Sequence, residues 1–194
     1  MLIRALTAKK SHATGKRLHM ADGFLPLCIS QADAQDAFAK PLERQLAALG
    51  IGHVNGCGTR HMPGDPGAGI DLFLALVSPH PRILRTVGGL LEELDAPSGS
   101  VLQFADSGAS HSFGRAEPLA LYLDRGLGKQ RRLDVLEACV DAMAGVGQYH
   151  GSALIGSQAV LYFTGDNYNE MMNALRFVMS QDPNCEGAYV RRSA

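Results

Sequence analysis

The sequence predicts an α+β protein in which one strand–helix–strand–strand–helix–strand unit is used twice. Residues 159–164 form a β-branched and aromatic run of strand length, and apolar residues at helical spacing follow it up to a short strand at 187–191. The same order of elements occurs in the first half of the chain. Because the order of elements and the spacing of apolar residues both repeat, we expect a duplicated unit of about 85 residues.

The alignment of the two halves depends on their helices. In the first helix of each half, Leu42 corresponds to Leu136 at a shift of 94 residues. In the second helix, Ile83 corresponds to Met171 at a shift of 88 residues. Any two amphipathic helices can be aligned in this way, so the matching order of the elements is the stronger part of the argument for duplication.

The first unit is predicted to contain four strands and two helices. Pro26 marks the beginning or an edge position of the first strand, and Pro41 should bend or split the first helix. Ser78 and Pro79 fit an N-cap and a first helical position, so the second helix is expected to begin there. The strands cover 24–29, 51–57, 70–77 and 100–105, the helices 30–49 and 78–94, and a glycine- and proline-rich loop 58–69.

The second unit follows a polar segment at 107–117 that is predicted to be a linker. Asp166 is the expected N-cap of its last helix, which ends at Asp182. Its first helix should bury one apolar stripe formed by Leu133, Leu136, Val140 and Met143. Its strands are predicted at 119–123, 148–155, 159–164 and 187–191. The chain is thus divided into a disordered leader at 1–20, a first unit at 21–106, the linker, and a second unit at 118–194.

This order of elements favours two tandem ferredoxin-like units. Right-handed crossovers place both helices of a unit on the same face of an antiparallel four-stranded sheet. The other face of each sheet then needs cover, and the copy could supply it. We therefore expect the two halves to pack sheet to sheet or to pair their sheet edges into a longer sheet.

Composition excludes several classes of protein. The net charge of −1 gives no long-range field for nucleic acid, and no apolar run approaches the length of roughly 20 residues that spans a bilayer. Four scattered cysteines without a C-x-x-C pair indicate reduced thiols and a cytoplasmic protein. The basic segment before Met20 favours an upstream start codon or a disordered leader over an export signal.

Candidate chemical groups are few and poorly spaced. The glycine-rich segment 64–69 lacks the lysine of a phosphate-binding loop. His53 and Cys57 lie four residues apart on a predicted strand and should share a face, with His61 nearby, but this spacing fits no standard zinc site. We therefore predict no metal and no cofactor. A catalytic site assembled from distant residues stays open, although the residues favour a binding protein over an enzyme.

Residues 159–166, 171–175 and 183–188 together resemble small uncharacterised bacterial proteins, among them immunity-type inhibitors of toxins. The resemblance implies binding without catalysis, by a compact cytosolic protein that occludes the active site of a partner protein. The polar loops at 58–69 and 106–117 are the expected contact regions, because a rigid scaffold can present such loops. The predicted contact residues are Arg60, His61, Asp65, His111, Arg115, Tyr149 and His150.

Two further resemblances give alternatives. Tandem units of this kind resemble paired ACT domains, which are regulatory modules with small ligands between the copies, although residues 30–33 and 124–127 lack the Asp/Asn-x-Pro-Gly turn expected for that site. They also resemble dimeric α/β-barrel monooxygenases, in which two copies enclose an apolar cavity. A buried His53 or His150 would then be a candidate active-site residue. A homodimer stays open in each case.

Overall fold

The computed structural model describes residues 17–60, 68–124 and 126–192. The first unit contains β1 His19–Leu25, α1 Gln31–Ala34, a π-helical turn Gln35–Ala39, α2 Lys40–Leu49, β2 Gly52–Arg60, β3 Gly69–Leu76, α3 Pro81–Glu92, β4 Ser100–Phe104 and β5 Ser110–Phe113. The second contains β6 Glu117–Asp124, α4 Lys129–Ala142, β7 Gln148–Ile155, β8 Gln158–Gly165, α5 Tyr168–Gln181, a 3₁₀ turn Pro183–Cys185 and β9 Tyr189–Arg192.

The two sheets confirm the predicted fold class. The first has the strand order β2-β3-β1-β4-β5 and the second the order β7-β8-β6-β9, and neighbouring strands pair antiparallel throughout. The first four strands of the first sheet thus match the second sheet position by position. Each half is a ferredoxin-like unit, and the chain is a tandem repeat of it.

Both ends of the first unit differ from the prediction. The predicted leader at 1–20 lies outside the described residues up to residue 16, and β1 already begins at His19. The predicted linker at 107–117 contributes β5, which pairs with β4 as a fifth strand. The strand β5 was not predicted because small polar residues dominate it, and its one buried apolar side chain is Phe113.

Pro41 lies in the first turn of α2, and the predicted interruption of the helix takes the form of an irregular turn. Just before it the backbone forms a π turn, in which the N–H group of Lys40 donates to the carbonyl oxygen of Gln35. The helix therefore continues past Pro41 with one irregular turn.

Two predicted N-caps are wrong by one or two residues. The helix α3 is capped by His80, whose Nδ1 accepts from the backbone N–H of Arg82 at 3.1 Å, while Ser78 only accepts from the N–H of His80. The helix α5 is capped by Asn167, not by Asp166. In both cases two capping residues stand close together, and tertiary packing selects the later one.

The buried stripe of α4 also differs from the prediction. Val135 and Cys139 are buried, as is Met143 just beyond the helix, whereas Leu133 and Val140 are exposed. The helix carries apolar residues on more than one side, so spacing alone could not show which side contacts the sheet.

In the described ranges, every helix is too short or too polar to cross a lipid bilayer.

The two units pack in an arrangement that differs from both expectations. The face of the second sheet opposite its helices packs against the segment between β1 and α1 and against the first helix, where Ala120, Val160 and Tyr162 join a core with Leu27 and Phe38. Among the strands that the structure describes, none pairs across the two sheets. The first sheet therefore keeps its corresponding face exposed, and this face becomes a candidate binding surface.

Candidate functional site

The candidate site is the open face of the first sheet, which is the face opposite α1–α3. Strand alternation and register place on it a set of apolar and polar side chains from four strands: Met20, Asp22, Phe24, Asp71, Phe73, Gln103, Ser110 and Ser112. The alternate residues, such as Gly23, Leu72 and Leu102, lie on the helix-covered face. The strand pairings and the alternation of side chains together thus define which residues lie on the open face.

Phe73 is the main apolar group of the open face. Its side chain is 41% exposed, although it lies on β3, which has a paired strand on each side. Its ring lies over two glycines of β2, because a Cβ atom would lie 3.4 Å from the ring at Gly56 and 4.0 Å at Gly58. Met20 on β1 is also exposed. The glycines thus leave the ring on a flat, accessible surface.

Carboxylates lie beside the aromatic rings. The exposed Asp22 is the cross-strand partner of Phe73, and the half-buried Asp71 is the partner of Phe24. Acidic groups at these positions repel phosphates, so the open face does not suit a nucleic-acid backbone. They favour a partner that presents lysine or arginine around an apolar centre.

The described parts of the two predicted contact segments belong to opposite edge strands of this sheet. The first segment begins at the end of β2, where Arg60 pairs with Gly69. His61 and Asp65 lie outside the described residues. The other segment supplies β5 at the far edge.

His111 and Arg115 lie near that far edge but contribute little to the open face. His111 pairs with Leu102 and so points to the helix side, where a Cβ atom on Gly88 would lie 3.0 Å from its ring. Arg115 Nη2 lies 3.2 Å from Glu92 Oε2 of α3. His111 therefore packs on the helix side of β5, and its contact role stays a prediction.

Tyr149 and His150 lie between the two units and not on an exposed loop. His150 is 5% exposed, its ring stacks on Phe38 at 5.2 Å between centroids, and its Nε2 lies 2.6 Å from Thr164 Oγ1. Burial lowers the pKa of His150 to about 4, so the ring is neutral. Burial raises the pKa of the Tyr149 phenol. The His150–Thr164 pair has the spacing of a base and a nucleophile. Both side chains are buried, however, so a substrate could not reach them.

A β-bulge overturns the predicted relation between His53 and Cys57. Asn55 is an extra residue in β2, because the register shifts between Val54 and Gly56. The bulge turns His53 to the open face and Cys57 to the helix side.

Within the ranges that the structure describes, no three His, Cys, Asp or Glu side chains come together as a metal site.

A second polar surface lies where the units meet. Asp95 from the end of α3 and Asp166 and Glu170 from the second unit line a cleft of about 280 Å³. Burial and the nearby Asp166 raise the pKa of Asp95. Nothing in the sequence indicated this cleft, since its residues are distant along the chain.

No protein-family model matches the chain, and no curated protein matches it. Solved structures that are similar to it include an unknown protein from Galdieria sulphuraria, at 11% identity over 91% of this chain and 97% of that chain, with a TM-score of 0.28. The regulatory subunit of aspartate kinase from Thermus thermophilus matches at 14% identity over 84% and 92%, with a TM-score of 0.29. The first two RRM domains of the yeast poly(U)-binding protein match at 12% identity over 90% and 98%, with a TM-score of 0.27. At these values the similarities carry no argument about activity, ligand or partner.

Proposed function

We propose that the protein binds another protein through the open face of its first sheet, with Phe73 at the centre of the contact. The observation that carries this proposal is the 41% exposure of the Phe73 ring on a sheet face that the second unit leaves uncovered. Contiguous exposed apolar patches are typical of binding surfaces, and the exposed Met20 on the neighbouring strand extends the patch around Phe73.

The composition of the face supports a protein partner. Aromatic residues and methionine are enriched in interface centres, and here Phe73 and Met20 are exposed on neighbouring strands. Asp22 and Gln103 provide polar groups around them, as in an interface rim. A partner with an apolar side chain over Phe73 and a basic side chain near Asp22 would complement both features.

We extend the proposal to an inhibitor of the immunity type, which binds over the active site of its partner. The sequence resemblance described above supports this extension, and so does the position of the two polar segments. The ends of the β2–β3 connection and β5 lie at opposite edges of the same face, where they would contact the flanks of a bound protein.

Affinity capture with three forms of the full chain tests the proposal. The forms are the natural sequence, Phe73→Ser, and Phe177→Ser as a matched control, because Phe177 is 68% exposed on α5 of the second unit. We expect one stoichiometric partner protein from lysate of the source cell with the natural sequence and with Phe177→Ser, and its loss with Phe73→Ser. Capture without any specific protein, or full retention by Phe73→Ser, would show that the proposal is wrong.

The enzyme alternative is not favoured by this arrangement. An α/β-barrel monooxygenase needs two sheets that face one another around a cavity, but here one sheet face packs on the first unit and the other is exposed. The buried His150 lies against Phe38 of a helix. The small-ligand alternative is supported at a different place, the groove described next.

A further inference from the structure

A groove of about 710 Å³ separates the first helix of the chain from the edge strand β2. One wall comes from the π turn and α2, and the other from the bulged part of β2. The lining includes charged, polar and apolar side chains, namely Asp36, Ala39, Lys40, Glu43, Arg44 and Asn55. The predicted contact residues that the structure describes do not line this groove, although Gly56 in its strand wall lies beneath the Phe73 ring of the proposed protein-binding face.

Two backbone irregularities face each other across this groove. The π turn Gln35–Ala39 lies in one wall, and Asn55, the extra residue of the β-bulge, lies in the other. Both kinds of irregularity are over-represented next to functional sites, because each turns side chains away from the directions that they have in a regular helix or strand.

Two hydrogen bonds beside the groove join helix side chains to the edge of the strand. Glu43 Oε2 accepts from the backbone N–H of Val54, and Gln31 Nε2 donates to the carbonyl oxygen of Cys57 at 3.1 Å. These bonds occupy groups of the strand edge that an added strand would need. The groove is therefore suited to a small molecule and not to an extended peptide.

All four charged residues of the helical wall line the groove, and two of them form an ion pair with each other. Lys40 Nζ and Asp36 Oδ1 are 2.5 Å apart, so these two groups balance each other. The next residues along the same wall are Glu43, which uses one carboxylate oxygen for Val54, and the exposed Arg44. An acceptor for an ammonium group and a donor for a carboxylate thus lie beside one another above an apolar floor that includes Ala39.

We propose that this groove binds a free α-amino acid, with Arg44 as the ligand of its carboxylate and Glu43 Oε1 as the ligand of its ammonium group. A guanidinium binds a carboxylate through paired hydrogen bonds, and a second charged contact fixes the orientation. The side chain of the amino acid would lie over Ala39 and Val54. Nothing in this assignment depends on the proposed protein partner.

The test measures the melting temperature of the full chain with each of the twenty L-amino acids at about 10 mM. We expect at least one amino acid to raise it, and the same compound as its carboxamide or N-acetyl derivative to have no effect. Calorimetric titration should then show that Arg44→Ala weakens binding about tenfold or more. The exposed Arg131 on α4 gives the control, and Arg131→Ala should bind as the natural sequence does.

The outcomes separate this proposal from the protein-binding one. If no amino acid raises the melting temperature, or if Arg44→Ala binds the responding amino acid with unchanged affinity, the groove is not the site. The variant Phe73→Ser should keep the full response, because its ring lies on the face of the sheet opposite α2, whereas Glu43 and Arg44 lie on α2. A response that disappears in Phe73→Ser would also contradict the assignment to the groove.

Discussion

Asp33 of the first helix and Ser152 of β7 are joined across the boundary between the two units. Asp33 Oδ2 accepts from the backbone N–H of Ser152 at 2.9 Å, and the backbone N–H of Ser30 donates to the carbonyl oxygen of Ser152 at 2.9 Å. Ser30 Oγ also accepts from the N–H of Asp33 and caps the helix. One helix start thus holds the edge of the second sheet, and it fixes how the units pack.

Removal of the Asp33 carboxylate should loosen this boundary. In Asp33→Ala the N–H group of Ser152 loses its acceptor in a partly buried position, so we expect the free energy of unfolding to fall by about 1–3 kcal/mol. Urea unfolding measures the change. Asp36→Ala is the control, because its carboxylate is exposed and pairs only with Lys40, and equal losses in the two variants would contradict this role.

Gly151 should not tolerate a side chain. Its φ of +151° is unfavourable for other residues, and a Cβ atom would lie 2.4 Å from the Cβ atom of Asp33. We therefore expect Gly151→Ala to lower the melting temperature by several degrees, or to prevent folding. Gly89 in α3 has open space around its Cβ position, so Gly89→Ala should stabilise the helix by about 0.5–1 kcal/mol. A Gly151→Ala variant as stable as the natural protein would contradict the close approach.

The stability of the protein should decrease in mild acid because of His150. Its pKa is about 4 in the folded protein and about 6.5 in an unfolded chain, so between these values only the unfolded chain binds the proton. The contribution is fully present above pH 6.5 and is lost as the pH falls to 4, and it amounts to about 3 kcal/mol. Urea unfolding at several pH values should show a weaker pH dependence for His150→Phe. Identical pH dependence in the two proteins would rule out this explanation.

The cysteines should differ in reactivity. Burial, with smaller effects of Cys185 and Asp182, raises the pKa of Cys139 to about 12, so this thiol is protonated at neutral pH. Cys57 is half-buried and should react first with iodoacetamide, while Cys139 should react only on unfolding. Mass spectrometry of the alkylated peptides gives the order. Modification of Cys139 at the rate of Cys57 would contradict its burial.

The tandem repeat could be predicted from the sequence, because hydrophobic periodicity and the order of the elements are read from local stretches of the chain. It could not distinguish Ser78 from His80 as an N-cap, or decide which side of α4 meets the sheet, because tertiary packing makes both choices. The strand β5 was missed since its pattern of serines and one histidine resembles a loop.

The open face was harder to predict than the fold. Phe73 lies within a confidently predicted strand, and only the pairing with β2 and the exposure of the sheet show that its ring is accessible. The bulge at Asn55 also reversed the expected face of Cys57, because one inserted residue changes the alternation of every later side chain. Contacts between the two units, such as those of His150, depend on residues far apart in the chain.

Binding of the captured partner to Phe73→Ser is the measurement that tests the central claim most directly. With purified partner, the affinity of this variant should fall by about 30-fold or more relative to the natural sequence, as expected for a central aromatic contact, while its melting temperature stays unchanged. Phe177→Ser should bind with unchanged affinity. If Phe73→Ser retains full affinity, or if only Phe177→Ser loses it, the open face of the first sheet is not the binding surface.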